Sequence, residues 1–317
     1  MAGGIGLRKL WIALFAAVFV LSGCTATSSK GTSSVSPSPT ASASNETPTP
    51  SLTQTPSLEP SETPKPPDKL ADLTDLSKGI FAFANHSGDK LLAEWDGGGE
   101  PPKGDLIAIG DQGRVVSVSF AGSQEATAED NGRQTSQNFD QRKGWLYEVT
   151  EGNATDNESY FIIDKGLINE SMLLPLSLAD KQTESETLKS DIEELKGRKV
   201  ESVSPLQQMG NDQRAYLVVF AREGDDMLAS LAFSSDEKWV FHDFPATYDE
   251  FSTWRVDDGG VIVAEQFSFL FAAATEGGFL VGYKWMGFEG ENVVFLSIAD
   301  GKATEIGPSY DRYMSPI

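Results

Sequence analysis

Val115-Val116-Ser117-Val118-Ser119-Phe120 alternates with a period of two. Val116, Val118 and Phe120 share one face of an extended chain, and Ser117 and Ser119 share the other. This is the pattern of a half-buried β-strand. Runs of the same kind cover residues 79–84, 90–95, 106–109 and 114–120, with Asp96-Gly97-Gly98-Gly99 and Asp111-Gln112-Gly113 as turns. Residues 144–150 and 159–164 read as a hairpin around the polar loop 151–158. After Gln213 the signal becomes denser, with strands expected at 215–221, 227–233, 238–242, 261–274, 279–286, 292–297 and 302–306. Gly224-Asp225, Ser234-Ser235-Asp236, Glu276-Gly277-Gly278, Glu289-Gly290-Glu291 and Asp300-Gly301 supply the turns between them. Short turns at this spacing predict a mainly β fold of antiparallel meanders and hairpins, sandwich- or barrel-like. A small β-propeller is the alternative architecture, although no blade signature recurs.

Helix is expected at the periphery. Thr183 and Glu186 fit a capping box, Leu188, Ile192 and Leu195 form an apolar stripe, and Gly197 stands at the expected stop. Lys189 and Glu193 are placed to pair one turn apart. A second, shorter helix is expected over residues 69–76. The stretch Asp72-Leu73-Thr74-Asp75-Leu76 faintly echoes Asp191-Ile192-Glu193-Glu194-Leu195. If the echo is a duplication, it divides residues 69–317 into two β-rich lobes with a boundary near Gly197.

The N-terminus has a different character. Arg8 and Lys9 precede twelve apolar residues at 10–21, a length that suits a signal peptide and falls short of the ~20 needed to span a bilayer. Small residues and then the only cysteine follow. Leu21-Ser22-Gly23-Cys24 resembles the lipobox of bacterial lipoproteins. The resemblance implies cleavage after residue 23 and attachment of diacylglycerol, with palmitate-type acyl chains, to Cys24. It places the protein at the outer face of the cell membrane and is silent on the activity of the rest of the chain. With Cys24 lipidated, no thiol remains for a disulfide or a nucleophile.

Residues 25–68 consist mostly of Ser, Thr and Pro and contain no aromatic residue. Such a segment has too little to bury and is expected to be disordered. At about 3.1 Å per residue its upper reach is roughly 135 Å, which suits a thick, Gram-positive type of wall. The expected organisation is therefore a signal peptide at 1–23, a lipidated tether at 24–68 and an acidic β-rich domain at 69–317.

The formal net charge of −22 belongs almost wholly to that domain. It argues against nucleic acid, and against anionic lipid headgroups as a docking surface, since both require basic protein. The membrane is thus a partner through the lipid anchor alone. No cofactor-binding pattern occurs: there is no phosphate-cradling glycine motif, no nucleophile elbow, and only His86 and His242 for metal ligation. Ser87-Gly88-Asp89-Lys90 and Ser235-Asp236-Glu237-Lys238 match a Ser-x-x-Lys pattern but read as hairpin turns. Glu151, Asn153, Asp156 and Glu158 make a loop dense in the oxygen ligands that Ca²⁺ takes, without the residue order of an EF-hand.

The stretch Trp254-Arg255-Val256-Asp257-Asp258 together with Trp285 and Glu289 offers an aromatic and charged set suited to a polar ring such as a sugar. Alternation also lets Tyr283 and Trp285 share a strand face that is simply core. The functional expectation is an envelope module that binds a cell-wall polymer or an envelope protein. A carboxylate-dependent hydrolase acting on a wall polymer or carbohydrate is the alternative.

Overall fold

The computed structural model describes residues 69–94, 99–179, 186–235, 238–251, 254 and 260–315. The signal peptide, Cys24 and the tether lie outside the described residues. Six strands close an antiparallel barrel: β1 (Ile80–Ala84), β2 (Lys90–Ala93), β3 (Leu106–Gly110), β4 (Arg114–Gln124), β5 (Gly144–Glu151) and β6 (Ser159–Asp164), in the order β1-β2-β5-β4-β3-β6. Side chains alternate across the barrel wall as the pleat requires. Ala82, Ala84, Ala93 and Ala108 point inward with Val116, Val118, Tyr147 and Tyr160. Six strands enclose less space than the eight of commoner closed barrels, and these alanines leave room for the two tyrosines. The tyrosine hydroxyls find partners, with Tyr147 donating to the Pro102 carbonyl at 3.2 Å and Tyr160 accepting from the Thr155 N–H at 2.8 Å.

The expected hairpin of 144–150 with 159–164 does not form. β5 lies between β2 and β4, whereas β6 pairs with β1 and β3. The intervening loop crosses the end of the barrel rather than turning back on its own strand.

Two five-stranded sheets follow. The outer sheet contains β8 (Leu176–Leu178), β9 (Val200–Met209), β10 (Gln213–Phe220), β11 (Asp226–Ser235) and β12 (Lys238–Thr247), in the order β12-β11-β10-β9-β8. The central sheet contains β7 (Leu173–Leu174), β13 (Phe267–Thr275), β14 (Gly278–Met286), β15 (Gly290–Ala299) and β16 (Lys302–Tyr313), in the order β16-β15-β14-β13-β7. Both are the antiparallel meanders expected from the turn spacing. The chain passes from barrel to sheets within residues 165–172, so the transition lies well before Gly197.

The central sheet is buried on both faces. Phe279, Val281, Tyr283 and Leu296 meet Leu217, Leu231 and Phe233 of the outer sheet. On the opposite face Phe271, Leu280 and Phe295 meet Phe81, Ile107, Ile109 and Phe161 from the outside of the barrel. A bulge in β13 makes this possible. Its register against β14 skips between Phe269 and Phe271, so Leu270 and Phe271 both turn toward the barrel. The carbonyls of Phe269 and Leu270 then accept from the N–H groups of Gln112 and Gly113, at 3.1 and 2.7 Å, docking the β3–β4 turn onto the sheet.

Gly282, opposite the bulge, has no room for a side chain. A Cβ there would stand 2.8 Å from a ring carbon of Phe295 and 3.2 Å from Cβ of Leu270. Gly282→Ala is expected to destabilise the domain by about 1–3 kcal/mol through overpacking, read as a lower urea midpoint.

Helix α1 (Glu186–Lys196) covers the far face of the outer sheet. Ile192 is fully buried and Leu188 packs beside it, but Leu195 is 58 % exposed. The buried face is instead completed by Lys196, one turn beyond Ile192. Its ammonium lies over the Phe241 ring, 4.9 Å from the centroid, and pairs with Asp243 at 2.8 Å. Glu193 pairs with Lys199 at 2.6 Å. The expected short helix at 69–76 is a 3₁₀ helix at Leu73–Lys78, capped by Asp72. Among the described residues no helix is long and apolar enough to cross a membrane.

Candidate functional site

The buried charges converge where the barrel meets the central sheet. The tripeptide Asn157-Glu158-Ser159, where the loop enters β6, receives three charged side chains, one from each of β14, β15 and β16. Arg312 donates from Nη1 to the Asn157 carbonyl and from Nη2 to Asn157 Oδ1, both at 2.6 Å, and from Nε to the Gln134 carbonyl at 2.7 Å. Its guanidinium also lies over the Phe83 ring, 4.8 Å from the centroid. Lys284 pairs with Glu158, and Glu291 accepts from Ser159 Oγ. Lys284 and Arg312 stand 3.6 and 3.3 Å from Glu291. Asn157 adopts a left-handed φ of 60°, a conformation that asparagine tolerates better than most residues.

Burial alone would raise the pKa of the Glu291 carboxyl. The neighbouring Lys284 and Arg312 charges, with the Ser159 hydrogen bond, outweigh it and hold the pKa below the ordinary value. Burial would likewise lower the pKa of Lys284, but Glu291 and Glu158 raise it. Every charge in this cluster is matched inside the protein, so the cluster works as a clamp between barrel and sheet.

This arrangement decides the fate of the acidic loop. Glu158 is engaged by Lys284, Asp156 by His86 at 2.7 Å, Glu151 by the Ser117 hydroxyl at 3.3 Å, and the Asn153 amide donates to the Ala154 carbonyl. The four do not face a common centre. Among the described residues, no three His, Cys, Asp or Glu side chains gather as a metal site would require.

The aromatic set is likewise dispersed. Trp285 is 8 % exposed and lies between the sheets, 5.2 Å from the Phe267 ring and 4.9 Å from that of Phe244. Trp254 packs against the same core. Glu289 is exposed in the β14–β15 turn, where its carbonyl accepts from the Met314 N–H at 2.7 Å. Arg255, Asp257 and Asp258 lie outside the described residues. Ser87 donates to Asp89 at 2.5 Å, in the hairpin turn expected for it. His242 sits between the sheets, 3.5 Å from the Tyr283 hydroxyl and 3.4 Å from Glu305, and burial lowers its pKa.

An open site forms instead at one end of the sandwich, where the two sheets part to leave a cleft of about 490 Å³. Strand alternation explains its lining. The inward positions of β10 run Leu217, Ala215, Gln213; those of β11 run Leu231, Phe233, Ser235; those of β12 run Val240, Lys238. All three strands change from apolar to polar at the same level, so Phe233 and Val240 form a floor beneath a rim of Gln213, Ser235 and Lys238. The central sheet adds Phe279 and Ile298 to the floor and Asp300 to the rim.

Gly277 and Gly301 border the cleft in tight turns at φ 81° and 71°, with open space where a Cβ would stand. The gap on that side follows from the missing side chains. The sequence signal for this site was present, as inward Gln, Ser and Lys at three strand ends, but it can be read only once the strands are known to be neighbours. Comparison of the chain with protein-family models, with curated proteins and with solved structures finds no match in any of the three.

Proposed function

We propose that this protein is an exported, lipid-anchored binding module of the cell envelope, tethered at the outer face of the membrane. The observation that carries the reading is the N-terminal order of basic residues, twelve apolar residues and Leu21-Ser22-Gly23-Cys24, followed by a Ser/Thr/Pro-rich segment. A signal peptide too short to span, ending at a cysteine, suits acyl anchoring, and two acyl chains hold a protein stably where one holds it marginally. The domain's geometry supports binding as its task. Its buried charges are matched within the barrel–sheet clamp, while the cleft at the sandwich end presents hydrogen-bonding groups to an outside ligand. The acidic charge directs the choice of partner away from nucleic acid and polyanions and toward a neutral wall polymer or an envelope protein.

Cys24→Ala is expected to abolish incorporation of a fatty-acid analogue in metabolic labelling, and equal label in both proteins would refute the anchor. The binding role predicts that the full chain, solubilised in detergent, co-sediments with isolated cell-wall material.

A further inference from the structure

We propose that Asn131-Gly132 is a self-modification site, at which the Gly132 backbone nitrogen converts Asn131 to isoaspartate and so loosens the loop that holds Arg312. This chemistry does not depend on what the domain binds. It is the one Asn-Gly pair in the chain, and both residues are exposed. Gly132 sits at a left-handed φ of 81°, with no heavy atom within 4 Å of where a Cβ would stand. Without a side chain, nothing on Gly132 obstructs the approach of its nitrogen to the Asn131 carboxamide.

The groups around the pair act on this reaction in opposite directions. Asn131 Oδ1 accepts from the Arg133 N–H at 3.0 Å, an Asx turn that folds the carboxamide back along the Gly132 peptide unit. The same N–H polarises the carbonyl and is in place to stabilise the oxyanion that attack creates. Asp130 opposes the attack. Its Oδ1 accepts from the Gly132 N–H at 2.9 Å, and the carboxylate is itself held by Asn138 at 2.8 Å and Arg142 at 3.2 Å. The proton that must leave is thus bonded, and the negative charge beside it disfavours a second one on the nitrogen. Asp130 is a latch on the reaction.

Hydroxide removes the Gly132 amide proton. The nitrogen then bonds to Asn131 Cγ, the Cγ–Nδ2 bond breaks, and Nδ2 takes a proton from water and leaves as ammonia. Water opens the resulting cyclic imide. Breaking the bond from the Gly132 nitrogen to Cγ gives aspartate. Breaking the bond from that nitrogen to the main-chain carbonyl carbon gives isoaspartate, whose main chain runs through Cβ and Cγ and is one atom longer.

That extra atom enters just ahead of the residues that stitch the loop to β16. Arg133 Nε donates to the Ser315 carbonyl. Gln134 donates from its N–H to the Tyr313 carbonyl at 2.7 Å and accepts from the Tyr313 N–H at 2.5 Å through Oε1. Its own carbonyl accepts from Arg312 Nε at 2.7 Å. A longer backbone at residue 131 cannot keep the Asx turn and the Gln134 bonds in register together, so the change reaches the charge cluster around Arg312.

The test is incubation of the detergent-solubilised full chain in warm, mildly alkaline buffer, followed by peptide mapping that separates aspartate from isoaspartate. The proteins compared are the parent, Asp130→Ala, Asp130→Asn and Asn131→Gln. Isoaspartate is expected at position 131 of the parent, accumulating faster as pH rises. Asp130→Ala should accelerate it about tenfold, the rate equivalent of one hydrogen bond to a charged group. Asp130→Asn keeps the shape and an acceptor oxygen but not the charge, and should fall between the two. Thermal midpoints before incubation report that the variants are folded. After incubation the parent should melt lower than Asn131→Gln, whose side chain would need a larger ring to react. No isoaspartate at position 131 in either the parent or Asp130→Ala would overturn the site. Equal rates in the parent and both Asp130 variants would overturn the latch, and equal midpoints after incubation would overturn the coupling to Arg312.

Discussion

Replacing Phe295 with alanine is expected to cost about 3–5 kcal/mol, in the range for truncating a fully buried aromatic ring. The ring lies where the barrel meets the central sheet, with centroids 4.9 Å from Phe161, 5.5 Å from Phe81 and 5.5 Å from Phe271. Phe81 and Phe161 belong to the barrel, and Phe271 and Phe295 to the central sheet. None of the other three can move into the vacated space without dragging a strand that is hydrogen-bonded on both sides, so collapse of the cavity is limited. Phe288 provides the comparison. It is 68 % exposed in the β14–β15 turn, and Phe288→Ala should stay within about 0.5 kcal/mol of the parent. Urea unfolding of both variants reads the difference, and similar midpoints would show that the barrel–sheet contact contributes little.

Glu291→Gln is expected to be nearly as damaging, by about 3–5 kcal/mol, because it leaves two buried cations facing a single remaining carboxylate. For a domain of this size that is roughly a 10 °C fall in the thermal midpoint. The pH dependence gives the effect a signature. The folded-state pKa of Glu291 lies below its ordinary 4.5, so its contribution is fully present above about pH 4.5. It is lost as pH falls through the folded value. Lys284 is raised above 10.5, so its contribution is complete below that pH and is lost as pH rises through the folded value. The parent should therefore be most stable between these limits, and the parent and Glu291→Gln curves should converge in acid. Parallel curves down to pH 2 would assign the loss to packing rather than to charge.

The acidic loop is engaged from outside its own stretch of sequence, which is how the clamp works. Residues 151–158 are rich in oxygen atoms, and local composition is all that a one-dimensional pattern can display. The cations that engage the loop come from β14 and β16, more than a hundred residues away in sequence. Lys284 and Glu291 are visible in the sequence only as charges interrupting apolar runs. Their burial shows that they are matched to each other and to the barrel. Arg312 was unreadable because the strand carrying it continues to Tyr313, well past the expected end at residue 306, and Gly307, Pro308 and Ser309 interrupt the pattern that would extend it. β9, which contains Pro205 beside a register shift, carries too weak an alternation to be seen as a strand at all.

What the sequence determined by itself was local: mainly β structure, the positions of most turns, the inward face of Val116 and Val118, and Ile192 in the apolar stripe of helix α1. Each follows from steric preference and periodicity within a few residues. Tertiary structure alone decided which strands are neighbours. β1, β3 and β6 and most of the central sheet are buried on both sides, so their runs are nearly all apolar and carry no alternation to identify a face. A run of that kind fits several partners equally well. The choice among them is made by volume: alanines fit inside a narrow barrel, a bulge turns Leu270 and Phe271 toward it, and Gly282 admits the Phe295 ring. Those are properties of the assembled space between strands, and they bring Gln213, Ser235, Lys238 and Asp300 to one rim from three separate stretches of chain.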